Sequence, residues 1–199
     1  MTDRISDVFE VIESRRTVRS YLPDPVPEED LLRILDAARR APSSGNQQAW
    51  KFLVVQDRST LDRLRDEGVE GTIRQAKEQQ DLTDEQIAEY RPQVEGYVAN
   101  VMTAPVMVAL LGDLEGPWPT YLKHDGPLAA ANMMLAARAL GYGTVYGTGV
   151  VPPSTVRAVL EIPERYELIC TITIGVPKAW PDVPEQRALE SFVARERIE

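Results

Sequence analysis

The stretch from Asp125 to Gly141, DGPLAAANMMLAARALG, constrains the fold more than any other part of this chain. Wound into a helix, it has almost no polar face. Leu128, Ala129, Ala130, Ala131, Met133, Met134, Leu135, Ala136, Ala137, Ala139 and Leu140 point in nearly every direction. A helix that is apolar all round belongs inside a core, because each face left in water forfeits its burial free energy. Cover on so many sides is hard to find within 199 residues. The segment therefore predicts a single domain built around a central helix, with a second copy of the chain supplying part of the cover. The tail ESFVARERI supports this, since Phe192 and Val193 sit amid charges with no evident place in the chain's own core.

The remaining elements are arranged around that helix. Ile5, Val8, Phe9 and Ile12 recur at helical spacing and predict an amphipathic first helix. EEDLLRILDAARRA reads as a second, acidic at its start and basic at its end, with Leu31, Leu32, Leu35 and Ala38 as its apolar stripe. WKFLVVQ reads as a buried strand, followed by a short helix capped by Ser59 with Asp62 at capping-box spacing. Residues 68–100 are polar and read as an excursion, with one helix capped by Thr83. APVMVALLG and YELICTITIG read as strands, STVRAVLEI as a short helix, YGTVYGTGVV as a glycine-rich turn, and ALESFVARERIE as a helix or an extended arm. Helices first, then strands interleaved with helices, place the chain in α/β or α+β.

Charge and cysteine content narrow the function. A net charge of −9 argues against general nucleic-acid affinity and against an anionic membrane surface. The single cysteine, Cys170, forms no internal disulfide and fits a reducing cytoplasm. The N-terminal MTDRISDVFEVI has no apolar h-region, and no apolar run approaches bilayer length, so a cytoplasmic protein is expected.

Some familiar chemistries fail on spacing. GYGTVYGTG offers Gly141 and Gly143, but Tyr146 stands where a dinucleotide fingerprint needs its third glycine, and a helix rather than a strand precedes it. Its glycines mark either a ligand contact or a tight turn. Nothing ties the only histidine, His124, to Ser43 and Ser44 as a triad requires. One histidine and one cysteine do not make a zinc tetrad, so no metal is expected. In SRRTVRSY, an acidic chain concentrates Arg15, Arg16 and Arg19 beside the hydroxyls of Thr17 and Ser20. Guanidinium groups in such a cluster grip phosphate with paired hydrogen bonds, or they form a solvated surface.

Taken in order, SRRTVRSY, APSSGNQQAW leading into a strand, DGPLAAANMMLAARALGYGTVYGTG, TITIGVP and EQRALESFV resemble the flavin-dependent nitroreductase family over nearly the whole chain. The resemblance implies an α+β fold with a central, mostly antiparallel sheet flanked by helices, in an intertwined homodimer. It implies FMN as cofactor, with Arg15, Arg16 and Thr17 on the phosphate and ribityl chain and Arg19 at the flavin's pyrimidine end. Pro42, Ser43, Ser44 and Asn46 would line the flavin from the other subunit. Tyr146, Gly147, Thr148 and Gly149 would cover the ring near N5, and Arg187 would return to the phosphate.

The implied activity is hydride transfer from NADH or NADPH and electron delivery to a small nitroaromatic or quinone acceptor in ping-pong fashion, with no catalytic side chain. Other reactions of the family, namely dehalogenation, azoline oxidation and flavin breakdown, stand as alternatives, as does flavin binding without turnover. This chain departs from the family pattern at Thr17 for serine, at Ala49 for the proline before Trp50, and at Glu185 where some members carry a lysine. Residues 68–124 would select the acceptor, with Trp118 and Tyr121 either facing it or simply packing.

Overall fold

The computed structural model describes residues 4–198. Among the described residues six α-helices form: α1 Val8–Ser14, α2 Glu28–Arg39, α3 Arg58–Gln80, α4 Asp84–Val101, α5 Leu122–Ala139 and α6 Pro153–Val159. The strands are β1 Trp50–Val55, β2 Val106–Asp113, β3 Gly143–Gly147 and β4 Tyr166–Gly175. They form a four-stranded sheet in the order β1-β2-β4-β3, with every neighbouring pair antiparallel. This is the α+β arrangement expected from the sequence.

Strand β2 organises the core. Successive side chains on a strand face opposite sides. Val106, Val108 and Leu110 join Ile34 and Ala38 of α2 and Ala129, Ala130, Met133 and Ala137 of α5 in one buried cluster. Met107, Ala109 and Leu111 join Leu61 and Leu64 of α3, Val94 and Val98 of α4 and Val156 of α6 in the other. A strand covered on both faces reads as an unbroken apolar run, and VMVALLG is one. Helix α5 lies against α2, where the Asn132 amide donates to the Ala37 carbonyl at 3.2 Å.

Several local expectations are corrected. The helix after β1 is capped by Asp57, not Ser59; its carboxylate accepts from the Thr60 amide at 2.8 Å, and the hydrogen bonds of Ser59 and Thr60 hold it down to about 2. That helix is not short. It runs 23 residues to Gln80, and with α4 it turns residues 68–100 into a packed helical pair rather than a loose excursion. Thr83 does cap α4, in a reciprocal capping box with Gln86.

In α1 the stripe Val8, Phe9 and Ile12 faces outward, and Val11 is the buried residue. In α2 Leu32 is exposed and Ile34 takes the core position. The glycine-rich turn after α5 contains a strand, β3, which the sequence reading missed. Gly143 is required there, because a Cβ would lie 2.5 Å from the Val18 side chain crossing above it. The tail is an extended arm with a single turn of 3-10 helix at Leu189–Phe192.

Candidate functional site

The arginine segment is held from beneath. Helix α1 stops where Arg15 turns extended, and Thr17 then bridges Thr144 of β3, with the Val18 amide donating to the Thr144 carbonyl at 3.0 Å. Val18 and Tyr21 are buried. The Tyr21 hydroxyl donates to the Val18 carbonyl at 2.5 Å and pairs with the Thr173 hydroxyl at 2.8 Å, and burial pushes its pKa up. With the apolar members pinned inward, Arg15, Arg16, Thr17 and Arg19 line one wall of a cavity of about 710 Å³. Ile12 and Glu13 extend that wall, and Pro181 to Pro184 with Gln186 form the opposite one.

Among the described residues, Arg15, Arg16 and Arg19 have no carboxylate ion-pair partner. Arg16 Nη1 donates to the Glu13 and Arg15 carbonyls at 2.6 and 2.7 Å, which fixes one edge of its guanidinium and leaves the other edge unengaged. The Arg19 guanidinium sits 6.0 Å from the Tyr97 ring centre on α4. The opposite wall is anchored at its root by Arg138 of α5. Its guanidinium stacks 4.2 Å from the Trp180 ring centre, and its Nε donates to Ser14 Oγ at 3.0 Å. Arg187 does not line the cavity; it stacks 4.3 Å from the Phe192 ring centre. Glu185 is exposed and likewise absent from the lining.

The Pro42–Asn46 loop lies elsewhere on the protomer. Its backbone takes positive φ at Gly45, Asn46 and Gln48, a costly path for the two non-glycine residues. Asp125, only 4 % exposed, holds it. The carboxylate accepts from the Ser44 amide at 3.1 Å, the Ser44 hydroxyl at 3.0 Å and the Gln47 side-chain amide at 2.7 Å. Ser43 Oγ accepts from the Gln48 amide at 3.0 Å. A third group, at the end of β3, comprises Tyr146, Gly147, Thr148 and Gly149. Tyr146 is half-buried beside Cys170, and burial followed by the thiol raises its hydroxyl to about 12. The Gly147 carbonyl accepts from Thr171 Oγ1 at 3.3 Å, while Thr148 and Gly149 are exposed.

One protomer thus brings Arg15, Arg16, Thr17 and Arg19 together and keeps the Pro42–Asn46 loop and Arg187 out of their cavity. Reading the sequence missed Asp125, Gln47, Tyr97 and the Trp180–Pro184 wall. An acid in the first turn of an apolar helix looks like a dipole partner, so Asp125 carried no signal of its own. Among the described residues, no cluster of histidine, cysteine and carboxylates is placed to hold a metal, and no helix is long and apolar enough to cross a membrane.

Known proteins share this architecture. A Methanothermobacter thermautotrophicus protein provisionally named NADH dehydrogenase/NAD(P)H nitroreductase is 33% identical over 181 residues, which is 88% of this chain and 80% of that protein. The Rhodospirillum rubrum 5,6-dimethylbenzimidazole synthase is 30% identical over 188 residues, covering 88% and 84%. A Bacteroides fragilis nitroreductase with bound FMN superposes with a TM-score of 0.73 at 26% identity, covering 97% of this chain and 100% of that structure. The sequence model of the nitroreductase family matches residues 12–176, a span that contains the whole sheet and the arginine segment, and this chain belongs to that family.

Proposed function

We propose that the protein is an FMN-dependent oxidoreductase that takes hydride from NADH or NADPH and passes electrons to a small nitroaromatic or quinone acceptor. The observation that carries this reading is the cavity lined by Arg15, Arg16 and Arg19, none of them ion-paired among the described residues although Glu13 and Asp182 share the lining. Positive side chains outnumber negative ones in this lining, and a phosphate dianion engages guanidinium groups that have no ion-pair partner with short charge-assisted hydrogen bonds. The donor set therefore fits an FMN phosphate. FMN, when bound, supplies two-electron acceptance and donation at its ring.

Arg15, Arg16 and Thr17 would hold the phosphate end. Arg19, next along the same wall, would place positive charge at the pyrimidine end, where it favours the reduced, anionic ring and raises the reduction potential. Tyr146 to Gly149 would present backbone groups near N5, and Arg187 would have to swing from Phe192 to reach the phosphate. The Pro42, Ser43, Ser44 and Asn46 loop lies outside the protomer's own arginine cavity, which agrees with its serving the neighbouring subunit's flavin. The protomer also leaves large apolar side chains in water: Phe9 is 71 % exposed, and Val8, Ile12, Leu32 and Leu128 are open as well. A homodimer that covers these residues and shares its two sites is part of the proposal.

The test is the absorption spectrum of the purified protein, followed by anaerobic addition of NADH or NADPH and then a quinone. Flavin bands that bleach with the nucleotide and return with the quinone are expected. A colourless protein that takes up no added FMN would overturn the reading. Sedimentation across a dilution series, followed at flavin and protein absorbance, tests the shared site; a monomer that retains FMN would defeat it.

A further inference from the structure

We propose that Trp118 is the stacking platform for a planar aromatic electron acceptor, and that Gln47 positions it. This rests on the functional reading above, and it names the residues that would select the acceptor.

The geometry is that of a clamp with one open side. The Gln47 side-chain amide donates to the Trp118 carbonyl at 3.2 Å, and its oxygen accepts from the Trp118 amide at 3.3 Å. The same Gln47 nitrogen donates to Asp125 Oδ2 at 2.7 Å, so the clamp is tied to the first turn of α5. The indole itself rests on Gly45: a Cβ there would lie 2.1 Å from Trp118 Cζ3 and 2.5 Å from Cη2. With φ at +55°, Gly45 both makes the turn and clears the space for the ring. Yet Trp118 remains 46 % exposed, and Tyr121, three residues on, is open too.

An indole that merely filled a gap would be covered on both sides. This one is covered on one side, fixed at its backbone in both directions, and wet on the other. A ring held in this way loses little conformational freedom when a second ring stacks on it. The segment that seats the ring is the Pro42–Asn46 loop, which the functional reading sets against the flavin. The open indole therefore travels with that loop to the rim of the site, where an acceptor must lie flat to receive electrons.

The experiment compares the full-length holoprotein with Trp118→Ala, Trp118→Phe and Gln47→Ala. 4-Nitrobenzoate serves as the planar acceptor and ferricyanide as one that has no face to stack. Aromatic pairing corresponds to roughly a two- to thirteenfold effect. KM for 4-nitrobenzoate should rise by that factor in Trp118→Ala, be largely recovered in Trp118→Phe, and fall between in Gln47→Ala, with no matching rise for ferricyanide. Without reductant, 4-nitrobenzoate should quench tryptophan emission of the wild type, and the quenching should weaken in Trp118→Ala. FMN affinity, titrated on the apoprotein, should be the same in wild type and Trp118→Ala. Equal changes in KM for both acceptors, or none for either, would overturn the proposal while leaving the flavin reading intact. A wild type that binds no FMN and reduces neither acceptor would overturn both.

Discussion

Replacing Asp125 with alanine should destabilise the protein and release the Pro42–Asn46 loop. The carboxylate is buried, and it accepts from the Ser44 amide, the Ser44 hydroxyl and the Gln47 amide. Hydrogen bonds to a charged acceptor contribute about 1.5–3 kcal/mol each, which sets a gross upper bound of about 4.5–9 kcal/mol. Two terms reduce it. Burying the carboxylate costs several kcal/mol that alanine avoids, and the half-buried Ser44 and Gln47 can recruit water once their acceptor is gone. A net loss of about 2–4 kcal/mol remains. For a chain of 199 residues this lowers the melting temperature by roughly 4–16 °C. Asp125→Asn keeps the shape but turns one acceptor into a donor facing the Ser44 amide, so it should fall between wild type and alanine.

Thermal unfolding by circular dichroism measures the loss. A cycle with Gln47→Ala separates the network from simple cavity formation, with a coupling of about 0.5–3 kcal/mol expected between residues in direct contact. An Asp125→Ala protein that melts within about 1 °C of wild type would refute the argument. So would purely additive losses in the cycle.

Three further outcomes are expected. Arg15→Ala should weaken FMN about tenfold to a hundredfold, as loss of one charge-assisted phosphate contact of about 1.5–3 kcal/mol requires; unchanged affinity in an apoprotein titration would remove Arg15 from the site. Gly45→Ala should lower stability and shift the tryptophan emission, because the new methyl meets the Trp118 ring at 2.1 Å on a backbone already at φ +55°; a spectrum and melting temperature equal to wild type would contradict it. Stability should fall as pH rises from about 9 toward 12. The Cys170 thiol is raised to about 12 by burial, so over that range the unfolded chain gives up a proton that the folded chain keeps, at no more than about 1.4 kcal/mol per pH unit from this group; denaturant titrations at pH 8 and 10 with Cys170→Ala as reference read the slope.

The elements that follow a clean period were legible in the sequence. VMVALLG and YELICTITIG have the apolar content of strands between two covered faces, and both lie at the centre of the sheet. The acidic start and basic end of α2 marked its bounds closely. Misreadings arose where tertiary contact decides. GTVYG is glycine-rich and looks like a turn, but its glycine makes room for Val18, and only the pairing with β4 makes it a strand. Asp57, Ser59 and Thr60 all suit a helix cap, and the choice among them depends on where the chain leaves β1.

The α1 stripe was legible as apolar, but its surroundings were not: Val8, Phe9 and Ile12 are exposed on the protomer and only Val11 is buried. The arginine cluster was visible as a motif. Its opposite wall was not, because Pro181 to Pro184 lie more than 160 residues away and no local pattern links them to Arg15.

That separation makes the cavity a long-range closure. A ligand that needs both walls tethers segments more than 160 residues apart, so part of its binding free energy becomes a constraint on the 180–187 segment. Removing residues 180–199 should therefore cost the protein its ligand while the sheet, which takes no strand from them, survives.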